Sequence, residues 1–460
     1  MLQDTLTPLK PKLTGHTELR VQRNISRDVS INKGNIVSNG AMEVTGLSAR
    51  VYRNGYWGFA SSPELGDKSA DEVIRSASKN AEFLTSRLGT KAPQLSVLPH
   101  TRLTTKSEFI NTDQKPLLDF AKELDAYIVK KFPNLVTRRV YCETDAMEKV
   151  LVTSDGADCY SLIPRSVVSV RLTVEAADGA MIDLGDAFND GPGFFTQRYT
   201  SPELLFPQID ALYENLMKKR DGVYANAGVR DVIIDSALAG ILAHEAIGHT
   251  TEADLVLGGS VAGAMLGKQV ASELVTLVDF ANTCDGAECP QPIYVDDEGT
   301  VAQDAVIIRD GVLQSFMHNR ETAAKFGHEP TGNARAYLFS DEPLIRMRNT
   351  AILPGKSKIE DMIASIDDGY WLTRTGNGQA DLTSEFMFGV NMGYEIKNGK
   401  LGKAIRDTTI SGVAFDLLKT VTAVSDEMTW NSSGTCGKKQ AMPVGMGGPG
   451  VKCRVNIGGR

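Results

Sequence analysis

At 460 residues and 42% hydrophobic content the chain exceeds one ordinary core, so two globular domains are expected. Its net charge of −8, with no basic stripe along any segment, argues against a nucleic-acid surface. No apolar run approaches the ~18 residues of a membrane span, and the N-terminus lacks the basic and apolar regions of a leader. With six scattered cysteines, this reads as a cytoplasmic chain with reduced thiols.

Residues 17–60 alternate in short strand-like segments punctuated by Asn39-Gly40 and Asn54-Gly55, both signals for hairpin turns. Val73, Ile74, Ala77, Ala81 and Leu84 recur at helical spacing and predict an amphipathic helix over 69–88. The Pro-containing stretch 92–104 reads as a linker or extended strand, and a second helix is expected over about 115–132. Strands are predicted at 135–141, 150–153 and 166–174, with Cys142 and Cys159 as core residues. Ser201-Pro202-Glu203 supplies an N-cap and a first-turn proline for a third helix. That helix ends near Asp221-Gly222, which divides the chain into an N-terminal α+β domain, 1–222, and a C-terminal domain, 223–460.

The second half is rich in glycine and short strands, at 291–295, 305–309, 312–317, 370–375, 381–390, 393–396 and 401–407. Asp310-Gly311 and Asn398-Gly399 mark turns between them. The pattern predicts an antiparallel sheet carrying one apolar helix, and an α+β class overall.

That helix holds the most informative segment, His244-Glu245-Ala246-Ile247-Gly248-His249, an HExxxH motif entered from the apolar run 233–243. Neutral imidazole is a common zinc ligand, and a neighbouring glutamate can take a proton from metal-activated water. The spacing is one residue longer than the HExxH of zinc hydrolases. On an ideal helix positions i and i+4 lie ~40° apart, but i and i+5 lie ~140° apart. A π-turn at Ala246, Ile247 and Gly248 would bring the imidazoles together, with Gly248 as its permissive residue. Two hydrogen-bonded structural histidines are the alternative.

A third ligand is needed. Cys436 ranks first, because a cysteine between glycines with Lys438 nearby suits an accessible thiolate of lowered pKa. Glu252 ranks second, either as ligand or as a hydrogen-bond partner of His249. Cys284 and Cys289 lack a matching pair, and Cys453 is held in reserve. His318 is a candidate for orienting substrate; Asp296, Asp297 and Glu298 read as a turn. His328 and Arg335 flank a turn where substrate contact is plausible, while His16 and His100 read as surface residues.

The C-terminal half resembles the TldD/PmbA family, and within it the metal-binding TldD branch. The resemblance rests on HEAIGH at 244–249 with TTEAD after it, on Val295-Asp-Asp-Glu-Gly-Thr300, and on His318-Asn-Arg-Glu-Thr-Ala323. It continues through Pro330-Thr-Gly-Asn-Ala-Arg335, Arg346-Met-Arg-Asn-Thr350 and Gly434-Thr-Cys-Gly-Lys438. The resemblance implies His244, His249 and Cys436 as ligands of a Zn2+ ion, Glu245 as general base, and peptides as substrates. It also implies a homodimer or a pair with a metal-free family partner. Peptides could add as strands to glycine-rich sheet edges. The rival readings are a non-catalytic peptide-binding or modulator subunit, and a structural zinc site closed by Glu252.

Overall fold

The computed structural model describes residues 2, 6–91, 95–96, 98, 101–105, 110, 113–189, 191–431 and 433–458. His100 and most of the expected linker 92–104 lie outside them. Strands β1 (His16–Asn32), β2 (Asn35–Arg53) and β3 (Tyr56–Ser62) form a meander, followed by helix α1 (Asp67–Leu88). Then come β4 (Arg102–Thr104), α2 (Gln114–Lys131), β5 (Thr137–Thr153), β6 (Asp158–Glu175) and β7 (Met181–Phe188). They make a seven-stranded sheet ordered β3-β2-β1-β5-β6-β4, with β7 added to β6.

α1 buries Ala70, Val73, Ala77 and Ala81, the stripe its spacing predicts. It lies so close to β3 that a Cβ on Gly58 would fall 2.0 Å from the Ala77 carbonyl oxygen. Asn54-Gly55 turns the chain as expected, both residues at positive φ. Asn39-Gly40 does not: it lies inside β2, and the turn falls at Lys33-Gly34. Gly40 is there for space, since a Cβ would meet the cross-strand Asp28 carboxylate at 2.2 Å. The strands expected at 135–141 and 150–153 are parts of one, because β5 is central and pairs along its length with both β1 and β6.

Short α3 (Phe195–Arg198) leads to α4 (Phe206–Arg220), whose Ile209, Leu212 and Leu216 join the apolar cluster beneath α2 and β5–β7. Ser201 gives its hydroxyl to Glu203 instead of capping, and the helix opens with a 3-10 turn, Pro202–Leu205.

β8 (Gly228–Ile234) runs into α5 (Ser236–Ile241), which continues as a π-helical segment, Leu242–Gly248. A 3-10 turn, His249–Thr251, and α6 (Ala253–Leu257) come after it. Next are β9 (Leu277–Phe280), the hairpin β10 (Thr283–Cys284) and β11 (Ala287–Glu288), β12 (Ala305–Arg309), β13 (Val312–Leu313) and α7 (Arg320–Phe326). The hairpin β14 (Ala334–Arg335) and β15 (Leu344–Ile345) precedes β16 (Asn349–Ile352) and α8 (Ile359–Ala364). β17 (Asp368–Ala380), β18 (Glu385–Lys397), β19 (Lys400–Ile405) and β20 (Thr408–Val413) come before α9 (Ala414–Lys419). The chain closes with β21 (Ala423–Asn431), the hairpin β22 (Thr435–Cys436) and β23 (Met442–Pro443), and β24 (Gly445–Ile457).

Eleven strands form the second sheet, mostly antiparallel, with parallel pairings at β8–β17 and β16–β24. β24 bonds to β8 and β20 as well, so β24, β20, β18, β17 and β8 close into a ring. α5 rests on β24 without intervening side chains: Cβ atoms built on Gly240 and Gly448 would stand 3.1 Å and 3.0 Å from the opposite element. The glycine-rich run after Cys436 is therefore the floor under the motif helix. Leu238, Leu242 and Ile247 are fully buried there, and each such side chain contributes about 1.5–3 kcal/mol.

Of the expected strands, 291–295 does not form and 312–317 is cut short to β13. Residue 291 finds its backbone partners in the Asn349 side chain, which substitutes for a neighbouring strand. Past Leu313 the chain leaves the sheet, and Met317 pairs with the backbone of Thr251 and Ala253 beside the motif. No described helix is long and apolar enough to cross a membrane.

Candidate metal centre

The extra residue of the motif is absorbed as the spacing predicts, by π geometry, though over the longer span Leu242–Gly248. The N–H of His249 bonds to the carbonyl of His244, five residues back. The two imidazoles end 5.2 Å apart, centroid to centroid, at 77°. Gly248 is ordinary right-handed helix (φ −55°), so conformational freedom is not its role. A Cβ there would strike the Met347 sulfur at 2.0 Å, and the glycine admits that side chain beneath the turn.

Cys436 reaches the helix from β22. Buried Arg346 fixes this hairpin, donating to the carbonyls of Cys436 (2.7 Å), Lys438 (2.7 Å) and Gln440 (2.9 Å). Nothing in the sequence marks Arg346 for this task, because its partners are main-chain oxygens 90 and more residues away. Ligand atoms of His244, His249 and Cys436 lie within 4.8 Å of one another. The Cys436 Sγ is 3.3 Å from His249 Nε2. His244 is buried with neither ring nitrogen hydrogen-bonded. An orphaned buried imidazole facing a second imidazole and a thiolate is the donor chemistry of a zinc-type site, so the residues fit a metal ion.

Electrostatics agree with this fit. Burial works against ionising Cys436, but the imidazoles of His244 and His249 outweigh it and hold the thiol at about 3. Burial likewise disfavours charge on His249, yet Cys436 and Glu252 raise it to about 10. Without metal, a thiolate and an imidazolium therefore face each other. Lys438, expected to activate the cysteine, points elsewhere: its ammonium sits 2.8 Å from the Asp254 carboxylate and 3.4 Å from Glu252. Cys436 is also buried, not accessible.

Glu252 accepts from His249 Nδ1 at 2.8 Å, which aims Nε2 at the thiolate. It is the histidine's orienting partner, the second of the two roles expected for it. Glu245 is partly exposed, its carboxylate 3.6 Å from His249 Nε2.

Other candidates sit apart from this cluster. His318 is fully buried among Phe316, Phe326 and His328, with Nδ1 on Thr322, so it lacks the exposure a substrate contact needs. Arg335 donates to the carbonyls of Met347 and Pro443 and is structural. Cys453 lies in β24 opposite Val232, burial pushing its thiol up to about 12. Cys284 and Cys289 are packed in their own apolar cluster. Asp296, Asp297 and Glu298 do make a turn, but a buried one. Asp297 holds Lys149 (2.7 Å) and Glu298 holds Arg50, tying the first sheet to the second half.

Residues 227–459 match the family described as PmbA/TldA metallopeptidase C-terminal domain, and residues 17–81 match its domain 1. The chain belongs to the PmbA/TldD family. The metalloprotease TldD homolog of Buchnera aphidicola (Acyrthosiphon pisum) is 31% identical, across 93% of this chain and 88% of that one. The zinc metalloprotease TldD homolog of Saccharolobus solfataricus is 26% identical, across 96% of each. The crystal structure of TldE from Thermococcus kodakarensis covers all of both chains with a TM-score of 0.73 at 19% identity, a likeness of fold. The PmbA/TldD family thus includes relatives named as metalloproteases, and the TldE protein shares the chain's architecture.

Proposed function

We propose that this chain is a zinc-dependent peptide hydrolase of the TldD type, acting on small or unfolded peptides. The observation that carries the reading is the convergence of His244, His249 and Cys436, with His244 buried and otherwise unbonded. These three residues would hold the ion and leave a fourth position open, since Glu252 is engaged by His249 Nδ1. When bound, zinc would supply Lewis acidity there, polarising a carbonyl and lowering the pKa of water toward ~7. Glu245, partly exposed at the edge of the cluster, accepts the proton of the attacking water and returns it to the departing amine. Glu252 keeps the His249 ring in place, and Arg346 keeps Cys436 in place. Residues 1–222 and 223–460 act as two domains, the second catalytic. The chain works in the cytoplasm as a homodimer or paired with a metal-free family partner.

Glu245→Gln tests the reading. Turnover of a short peptide should fall by about 10²–10⁴-fold while one metal per chain is retained. Undiminished turnover in the variant would remove Glu245 from the mechanism; peptide binding without turnover in the wild type would favour a modulator subunit.

A further inference from the structure

Between the two sheets lies a cleft of about 460 Å³ whose walls include Arg139, Arg171 and Arg374, with Asp186 as the one acidic residue. Two of the three arginines have aspartate partners, which leaves one unpaired positive charge in the walls of a cleft in a chain that is −8 overall. Arg139 bonds only to the Ser30 hydroxyl and has no carboxylate partner among the described residues. Arg171 pairs with Asp183 at an exposed position, where a ligand can exchange for it.

Arg374 pairs with Asp186 and adopts φ 61°, a left-handed conformation disfavoured for a residue with a side chain. Its N–H is held at 3.1 Å by Asp235, whose other oxygen caps α5 by accepting from the N–H of Leu238 at 2.9 Å. Backbone strain of this kind clusters at sites that bind ligands. The carboxylate that starts the motif helix thus also fixes the arginine of the cleft.

Two chain segments run from the cleft wall to the metal ligands. Ala237 in its wall precedes His244 by seven residues, about 10 Å of helix. Ser433 in its wall precedes Cys436 by three, at most about 10 Å of chain. An extended peptide advances about 3.3 Å per residue, so about three residues would span these chain lengths.

We propose that this cleft is a carboxylate-binding subsite for the peptide substrate, with Arg139, Arg171 and Arg374 as its anion-recognising groups. The proposal rests on the peptide-hydrolase reading above. The carboxylate is either the peptide's C-terminus or an acidic side chain about three residues beyond the cleaved bond.

The test is equilibrium binding of fluorescent hexapeptides to full-length Glu245→Gln protein, which separates binding from turnover. Peptides with a free C-terminus are compared with their amidated forms, each with glutamate or glutamine near that end. Arg139→Gln and Arg171→Gln, both at exposed positions, are made in the same background. A terminal-carboxylate subsite predicts about tenfold weaker binding on amidation, and loss of that difference in the arginine variants. A side-chain subsite predicts indifference to amidation and about a tenfold gain from glutamate, again lost in the variants. Equal binding of all four peptides, no peptide binding, or arginine variants that preserve the preference would overturn the proposal. Carboxylate-dependent binding with no turnover by the wild type would leave the subsite standing and defeat the hydrolase reading instead.

Discussion

Two pairs of histidines lie at nearly the same ring separation, 5.2 Å for His244 and His249 and 5.5 Å for His318 and His328, yet their surroundings give them opposite characters. His249 meets a thiolate and a carboxylate and is raised to about 10. His318 meets Phe316 and Phe326; burial, aided by His328, depresses it to about 4 and leaves it neutral. Proximity of imidazoles is therefore a poor sign of a metal site. What distinguishes the first pair is the Cys436 thiolate and the Glu252 carboxylate on His249, beside a His244 ring with neither nitrogen bonded.

Removing one donor should break the comparison most sharply. His249→Ala or Cys436→Ala should lower metal content from about one ion per chain to near zero, whereas His318→Ala should leave it unchanged; elemental analysis without chelators decides this. His318→Ala should act on the fold instead, costing about 2–4 kcal/mol through the cavity left among the aromatic rings, visible as a lower urea midpoint. An unchanged midpoint would remove His318 from the core.

Smaller changes sharpen the contrast. Glu252→Gln weakens the orientation of His249 without removing a donor, so metal affinity should fall about 10–100-fold by chelator competition. The pH dependence rests on the same pair. Cys436 is a thiolate at any pH well above about 3, so the proton that competes with metal near neutrality is the one on His249. Metal uptake at pH ~7 should release about one proton, and affinity should rise about tenfold per pH unit up to pH ~9, levelling as pH passes the raised value of His249. A flat profile, measured by calorimetry in buffers of different ionisation heat, would mean His249 is already neutral.

The parts of this picture legible in the sequence are those set by local geometry. The i to i+5 spacing of the histidines demanded a widened turn, and hydrophobic periodicity located α1. Asn54-Gly55, Asp310-Gly311 and Asn398-Gly399 all turn the chain at positive φ. Apart from Ser201, which bonds to Glu203 two residues on, the misreadings of single residues come from partners distant in sequence. Gly40 answers to Asp28 across the strand and Gly248 to Met347 below the helix, so both glycines mean space rather than a turn. The Arg346 clamp and the buried pairing of Glu298 with Arg50 join residues that only the fold makes neighbours. Lys438 misled for the same reason, since Asp254 claims it.

The π segment has a consequence for how such a motif tolerates insertion and deletion. Deleting one residue from 246–248 would restore ordinary helix, and positions i and i+4 would still present both imidazoles to one side. The deletion lies before the second histidine, so His249, Glu252 and Asp254 keep their spacing and move as one unit. A deletion that spares Gly248 also keeps its close fit over the Met347 sulfur. The added residue is thus nearly silent for the donors and for the chain beyond them. The widened turn is the point at which the longer spacing and the ordinary zinc-hydrolase spacing present the same pair of imidazoles.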